Sequence, residues 1–174
     1  PEGPSGGAGA CVQARRTTDF TLPASFGDIT FDTTDVETNT AALDHDLVTN
    51  TDRIDVGQDG TYTISYNGYI DPSSGSAETY RLRVRLNDTT VLAGSTDTME
   101  LDSSNNEPSF DHTFVAELDD GDFITLQAEH GGTGGTVRAD LILTVCLSDG
   151  IQGTTGIAGV AGAQGATGVA GLQG

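Results

Sequence analysis

Glycine at every third position is the feature that most constrains this chain. From Gly150 to Gly174 nine glycines stand in strict register. A flexible linker needs no such period, whereas three polyproline-II-like chains wound round one axis admit only glycine where they crowd together. The pattern therefore predicts a collagen triple helix over residues 150–174. Its axis positions are Gly150, Gly153, Gly156, Gly159, Gly162, Gly165, Gly168, Gly171 and Gly174.

A shorter tract of the same kind opens the chain. Gly3, Gly6 and Gly9 are also three residues apart, which predicts the last turns of another triple helix in residues 1–10. The C-terminal tract contains no Pro, and its Thr, Gln, Ala and Val resemble collagen-like tracts of bacteria and phages. Such a short helix is marginal alone, so we expect the domain formed by residues 11–149 to hold three chains in register.

Alternating apolar residues predict that residues 11–149 form an all-β domain. In 61–70 the side chains of Tyr62, Ile64 and Tyr66 share one face. Two further segments, 114–118 and 122–130, flank Asp119-Asp120-Gly121, a sequence that predicts a hairpin turn. Many short strands with turns between them predict a β-sandwich or jelly roll. The other predicted strands are 80–87, with Leu82, Val84 and Leu86 inward, and 137–145, with Val137, Ala139, Leu141, Leu143 and Val145 inward.

Charge excludes several classes of function. The formal net charge is −19, so the surface repels the phosphates of nucleic acids. No apolar run approaches the roughly 20 residues that span a bilayer, so no membrane insertion is expected. No nucleophile-elbow motif is present, and Asp44-His45-Asp46 in a loop is more typical of a solvated segment than of a metal site. We therefore expect the chain not to be an enzyme.

Four segments of the chain resemble segments of the globular head of the complement C1q family and follow one another in the same order. The resemblance implies a ten-stranded jelly-roll β-sandwich of the C1q and tumour-necrosis-factor type that forms a homotrimer. Collagen on both sides of the head departs from the usual family pattern, in which it only precedes the head. The segments are 15–33, with Phe31 and Asp32; 54–70, with Gly60, Tyr62 and Tyr66; 114–130; and 137–145.

The resemblance also implies a role for the two cysteines. In the implied fold the first and last strands are antiparallel neighbours, so Cys11 and Cys146 are expected to form a disulfide at the base of the head. Unpaired thiols and a bridge between chains are the alternatives. Because the two ends of the head then meet, both collagen tracts are expected to leave from the same end.

Calcium is the cofactor that the resemblance suggests, although none is certain. Heads of this family can bind calcium through loop carboxylates, and the loop before 114–118 is the corresponding region. Hard oxygen ligands suit calcium better than zinc. The candidate ligands are Asp97, Glu100, Asp102 and Glu107, with Asn105 beside them. An acidic loop without a metal is the alternative.

A stripe of arginines lies on the outward face of 80–87. Arg81, Arg83 and Arg85 could bind anions, but in so acidic a chain we expect cross-strand pairs with carboxylates.

These features predict a structural or adhesive role. The chain is expected to belong to an extracellular collagen-like fibre of a bacterial surface, spore or phage virion, in which the head trimerises and exposes a surface for a glycan or protein receptor. The alternative is a soluble, lectin-like recognition module of the C1q type.

Overall fold

The computed structural model describes residues 9–104 and 108–148, which fold as two packed antiparallel β-sheets. These residues contain no helix, and so none that is long and apolar enough to cross a membrane. Of the two predicted collagen tracts only Gly9 and Ala10 are among them, and Gly9 is the one predicted axis glycine that is described; the other residues of both tracts lie outside the described residues. The strands are β1 (Cys11–Arg16), β2 (Phe20–Thr21), β3 (Gly27–Asp28), β4 (Thr33–Thr38), β5 (Leu43–Asp44), β6 (Arg53–Val56), β7 (Gly60–Pro72), β8 (Glu78–Leu86), β9 (Thr90–Val91), β10 (Asp97–Leu101), β11 (Ser109–Leu118), β12 (Phe123–His130), β13 (Gly135–Val137) and β14 (Leu141–Leu147).

The strands fill five positions in each sheet. In the first sheet the order is β4–β1–β14–β7–β11, and the pair β2–β13 extends the lines of β1 and β14. In the second sheet the order is β10–β8–β12–β6–β5, with the short β9 beside β8 and the short β3 beside β12. This arrangement confirms the all-β, two-sheet jelly roll.

The inward side chains of both sheets form one apolar core. Tyr62, Tyr66 and Tyr80 are fully buried there, as the alternation in the sequence predicts for the first two. Each phenolic hydroxyl donates a hydrogen bond to a backbone carbonyl, so the large rings are buried without an unsatisfied polar group. Leu82, Val84, Leu141 and Leu143 complete the centre of the core.

The predicted hairpin at Asp119–Gly121 is wrong. β11 pairs with β7 in the first sheet, whereas β12 pairs with β8 and β6 in the second. Leu118 ends β11 inside the core, and Ile124 begins the buried series on the facing sheet, so the turn crosses the sandwich. The Gly121 amide donates to the Val56 carbonyl at 2.9 Å, which fixes the turn to β6.

The single closing strand predicted over 137–145 is broken in two. β13 ends at Val137 and β14 begins at Leu141, because Asp140 adopts a left-handed backbone with φ of 69°. Ala139 is therefore only half-buried and does not belong to the inward series. The rest of the predicted series is correct: Val137, Leu141, Leu143 and Val145 are fully buried.

We predict that Gly57→Ala destabilises the sandwich. A Cβ at Gly57 would lie 2.2 Å from the Ala41 carbonyl oxygen, and backbone cannot move aside as a flexible side chain can. The free energy of unfolding should fall by about 2–3 kcal/mol in urea titrations. Gly75→Ala is the matched control, since no atom lies within 4 Å of that Cβ. Equal unfolding midpoints for the two variants would contradict the prediction.

Candidate self-association face

The outer surface of the first sheet carries few charges at its centre. One cross-strand row there consists of Val36, Gln13, Thr144, Ser65 and Thr113, taken in the order β4, β1, β14, β7 and β11. The side chains of Gln13, Thr144 and Ser65 point away from the core because the positions on either side of them are buried. Val36 and Thr113 share their orientation, since residues paired across strands lie on the same face. This row is uncharged from one edge of the sheet to the other.

The neighbouring outward positions extend this surface, which we call the uncharged face. Its side chains are either uncharged polar or apolar, and three of them expose large apolar areas to solvent: Tyr69 is 51% exposed, Val115 59% and Val36 41%. An area of this extent without charged side chains is unusual on a chain of net charge −19. The uncharged face comprises Gln13, Val36, Thr63, Ser65, Asn67, Tyr69, Thr113, Val115, Ile142 and Thr144.

Hydrogen bonds within the sheet satisfy several polar groups of this face. The Gln13 amide donates to the Thr144 hydroxyl at 3.2 Å, and the hydroxyls of Thr63 and Ser148 lie 2.6 Å apart. Groups that already have partners lose less when water is removed. The face is therefore suited to contact with another apolar or small polar surface.

Charged residues lie at the margins of this face and are largely paired. Arg15 contacts Asp35 at 2.6 Å and Asp140 at 3.1 Å. The hydrogen bonds from Arg15 lower the pKa of the Asp35 carboxyl. On the opposite edge Asp111 and Glu117 project from β11, and Glu117 accepts a hydrogen bond from Thr61 at 2.7 Å.

The disulfide Cys11–Cys146 forms within one chain, which confirms the expected pairing. Cys11 and Cys146 are direct partners of the antiparallel pair β1–β14. The Leu147 amide donates to the Ala10 carbonyl at 2.9 Å, so the described chain enters and leaves the sandwich at the same end.

The candidate calcium ligands are not brought together in the described residues. Asp97 and Glu100 lie on strand β10 and not in a loop; Asp97 pairs with inward-facing Leu82 and Glu100 with outward-facing Thr79, so they point to opposite faces. Burial, with the Asp97 carboxylate, raises the pKa of Tyr66. The Asp102 carboxylate accepts a bond from the Ser104 amide at 2.8 Å.

Glu107 and Asn105 lie outside the described residues. Across residues 9–104 and 108–148 no three His, Cys, Asp or Glu side chains gather at one point. Calcium binding therefore stays a prediction from the family resemblance.

His45 has a structural role. Its ring Nδ1 lies 2.8 Å from the Thr34 hydroxyl, its amide donates to Glu37, and its ring packs edge-on against Phe31. The neighbouring Asp46 carboxylate accepts the Val48 amide at 2.7 Å and shapes the turn that follows. These contacts explain Asp44-His45-Asp46 as a turn anchored to the core.

The arginine stripe pairs with carboxylates only in part. Arg81 forms an ion pair with Glu129 across β8 and β12. Arg83 instead donates to the Gln127 side chain at 2.9 Å and stacks on Phe26 at 3.5 Å. Arg85 lies opposite Thr125, which has no charge to offer. The expectation of carboxylate partners is thus correct for Arg81 alone.

Sequence reasoning missed the uncharged face. Its members read as ordinary solvent-exposed positions when each strand is taken alone. The available signal was the absence of charge at every outward position from Thr61 to Tyr69 and from Ile142 to Cys146. Only the strand order shows that these positions adjoin.

Comparisons with known proteins establish the fold. Neither protein-family models nor curated proteins give a match. Among solved structures, murine APRIL at pH 5.0 superposes with a TM-score of 0.59 at 10% identity, covering 80% of this chain and 99% of that one. The globular domain of zebrafish complement 1qA gives a TM-score of 0.54 at 12% identity, covering 79% and 94%. The chain therefore has a C1q/TNF-like jelly-roll fold.

Proposed function

We propose that three copies of this chain associate through the uncharged face and hold flanking collagen triple helices in register within an extracellular fibre. The observation that carries the proposal is an uncharged sheet face on a chain of net charge −19. The role is structural or adhesive, on a bacterial surface, a spore or a phage virion.

Electrostatics favours this face as the contact. Copies of an acidic chain repel one another, and burying unpaired carboxylates costs free energy. Interface centres are depleted of charged residues for this reason, and aromatic side chains such as Tyr69 are enriched there. Two copies can approach through the uncharged face without burying a carboxylate. A contact through the charged outer face of the second sheet would bury charged groups.

The glycine tracts favour three copies over two. A collagen helix needs three chains, and a Pro-free tract of this length needs a folded unit to align them. The two features thus have different roles: the uncharged face brings the copies together, and the glycine tracts set the number of chains at three.

The disulfide supports an extracellular location. Bridges such as Cys11–Cys146 persist in oxidising surroundings and are rare in reducing cytosol. A fibre on a cell or virion surface meets this condition.

The topology also supports a lateral head. Gly9 and Ser148 lie at the same end of the sandwich, because Ala10 is bonded to Leu147 and the Ser148 amide to Thr61. Two collagen tracts that continue from these residues would leave side by side. The head would then sit beside the fibre or at a bend, and the fibre would not run straight through it.

Light scattering and circular dichroism of the full chain test the proposal. We expect a particle of three 17.9 kDa chains and a collagen-type signal that melts before the sheet signal. Gly162→Ala should lower only the first transition, because a side chain cannot fit at the triple-helix axis. A monomeric mass at micromolar concentration would refute the trimer, and a trimer without a collagen signal would refute the fibre.

A further inference from the structure

Arginines concentrate on the outer face of the second sheet. Arg53, Arg81, Arg83 and Arg85 lie there, out of only seven basic residues in the chain. Arg81 is paired with Glu129 and Arg53 with Asp55 at 2.9 Å. Within the described residues the side chain of Arg85 forms neither an ion pair nor a hydrogen bond, although the chain has 26 acidic residues to only seven basic ones.

The register places Arg85 in a row with Val91, Thr125 and Arg53. Thr125 on β12 pairs directly with Arg85 on β8 and with Arg53 on β6, and Val91 on β9 pairs with Arg85. Two strand spacings separate the two arginine backbones, about 10 Å. Both side chains can therefore reach over Thr125 from opposite sides.

Thr125 supplies an independent sign of a missing ligand. The residue is 1% exposed, and its hydroxyl has no hydrogen-bond partner among the described residues. A buried hydroxyl without a partner costs free energy, so native structures rarely leave one. Here it lies between Arg85 and Arg53 on the same face of the sheet. In this structure the Arg53 guanidinium stacks on Phe123, 4.5 Å from the centre of that ring.

Like charges crowd the adjacent position. Burial and the positive charge of Arg85 lower the pKa of Arg83, and the carboxylates of Glu129 and Asp28 offset this lowering only in part. Arg83 is held in place by its stack on Phe26 and its bond to Gln127. This side of the row thus has positive charge that no carboxylate of the described chain contacts.

We propose that the row Val91–Arg85–Thr125–Arg53 is a binding site for the carboxylate of a small, otherwise uncharged ligand of the uronic acid class. Guanidinium groups bind carboxylates through paired N–H donors, and the Thr125 hydroxyl gains an acceptor when the arginines shift. Asp55, two residues along β6 and on the same face, holds the Arg53 guanidinium through an ion pair at 2.9 Å.

Two observations select this ligand class. The net charge of −19 repels a polyanion, whereas a single carboxylate feels mainly the charges within one screening length of about 8–10 Å, which here include Arg85, Arg83, Arg53 and the paired Asp55. Val91 is 39% exposed beside Arg85 and offers an apolar surface to the C–H face of a sugar ring. The site lies on the sheet opposite to the uncharged face and does not depend on self-association.

Arginine side-chain NMR of the full chain with glucuronate tests the site. With seven arginines and no lysine, the Nε–H region contains at most seven signals. Glucuronate should shift the Arg85 and Arg53 signals and leave those of Arg15 and Arg138, on the other sheet, unchanged. Glucose is the neutral probe and should shift none of them.

Arg85→Gln should weaken glucuronate binding about tenfold or more, since it removes a charged hydrogen-bond donor. It should leave the melting temperature unchanged or raised, because Arg85 has no partner to lose and repels Arg83. Arg138→Gln is the control of equal charge and should bind as the parent chain does. Equal affinity in Arg85→Gln and the parent, absence of any shift with glucuronate, or binding of sulfate without glucuronate would each overturn the assignment.

Discussion

Replacing both Cys11 and Cys146 by Ser is expected to lower the free energy of unfolding by about 4–5 kcal/mol. The bridge joins residues 135 positions apart, so in the chain-entropy model its loss releases almost the whole described chain in the unfolded state. The folded sandwich should survive under mild conditions, because the β1–β14 hydrogen bonds remain.

Urea unfolding followed by circular dichroism measures this effect. Reduction of the parent chain should reproduce the lower stability, and the same reductant should leave the double Ser variant unchanged. A double variant as stable as the oxidised parent would show that the bridge does not constrain the unfolded chain. A second effect is expected at the end of the sandwich where the chain enters and leaves. Without the disulfide, the amide protons near Gly9 and Ser148 should exchange with solvent faster.

Local alternation predicted the core from sequence. Tyr62, Ile64 and Tyr66 alternate with polar residues, and a period of two places them on one face wherever the strand lies. The pairing of Cys11 with Cys146 was also accessible, but only through the family resemblance, because strand order relates residues that are distant in the chain.

Features that depend on strand pairing, or on the backbone conformation of a single residue, could not be predicted. The turn Asp119-Asp120-Gly121 has the same local signature in a hairpin and in a crossing between sheets. Asp140 interrupts the closing strand because its backbone is left-handed. The alternating Leu and Val residues around it indicate a continuous strand and give no sign of this conformation. The position of Thr125 between Arg85 and Arg53 follows only from the register of three strands. Alternation within 80–87 therefore predicted that the arginines share a face, but it could not predict the site that they form with Thr125.

A positive charge at the centre of the uncharged face should abolish trimer formation. Ser65 lies in the middle of the row between Thr144 and Thr113, and Ser65→Arg puts a guanidinium there without a carboxylate opposite it. Burial of an unpaired charge costs several kcal/mol, and three copies bear that cost in one assembly. Since the side chain points outward, the sandwich itself should still fold.

Mass by light scattering and thermal unfolding by circular dichroism separate the two effects. The expected result for Ser65→Arg is a folded monomer in which the collagen-type signal is lost, since nothing aligns the three chains. Ser76→Arg makes the same change in an exposed turn between β7 and β8 and should stay trimeric. Ser65→Ala keeps the face uncharged and should also stay trimeric. If Ser65→Arg remains a trimer, the contact does not lie on this face; if Ser76→Arg also dissociates, added charge alone is the cause and the position of Ser65 has no special role.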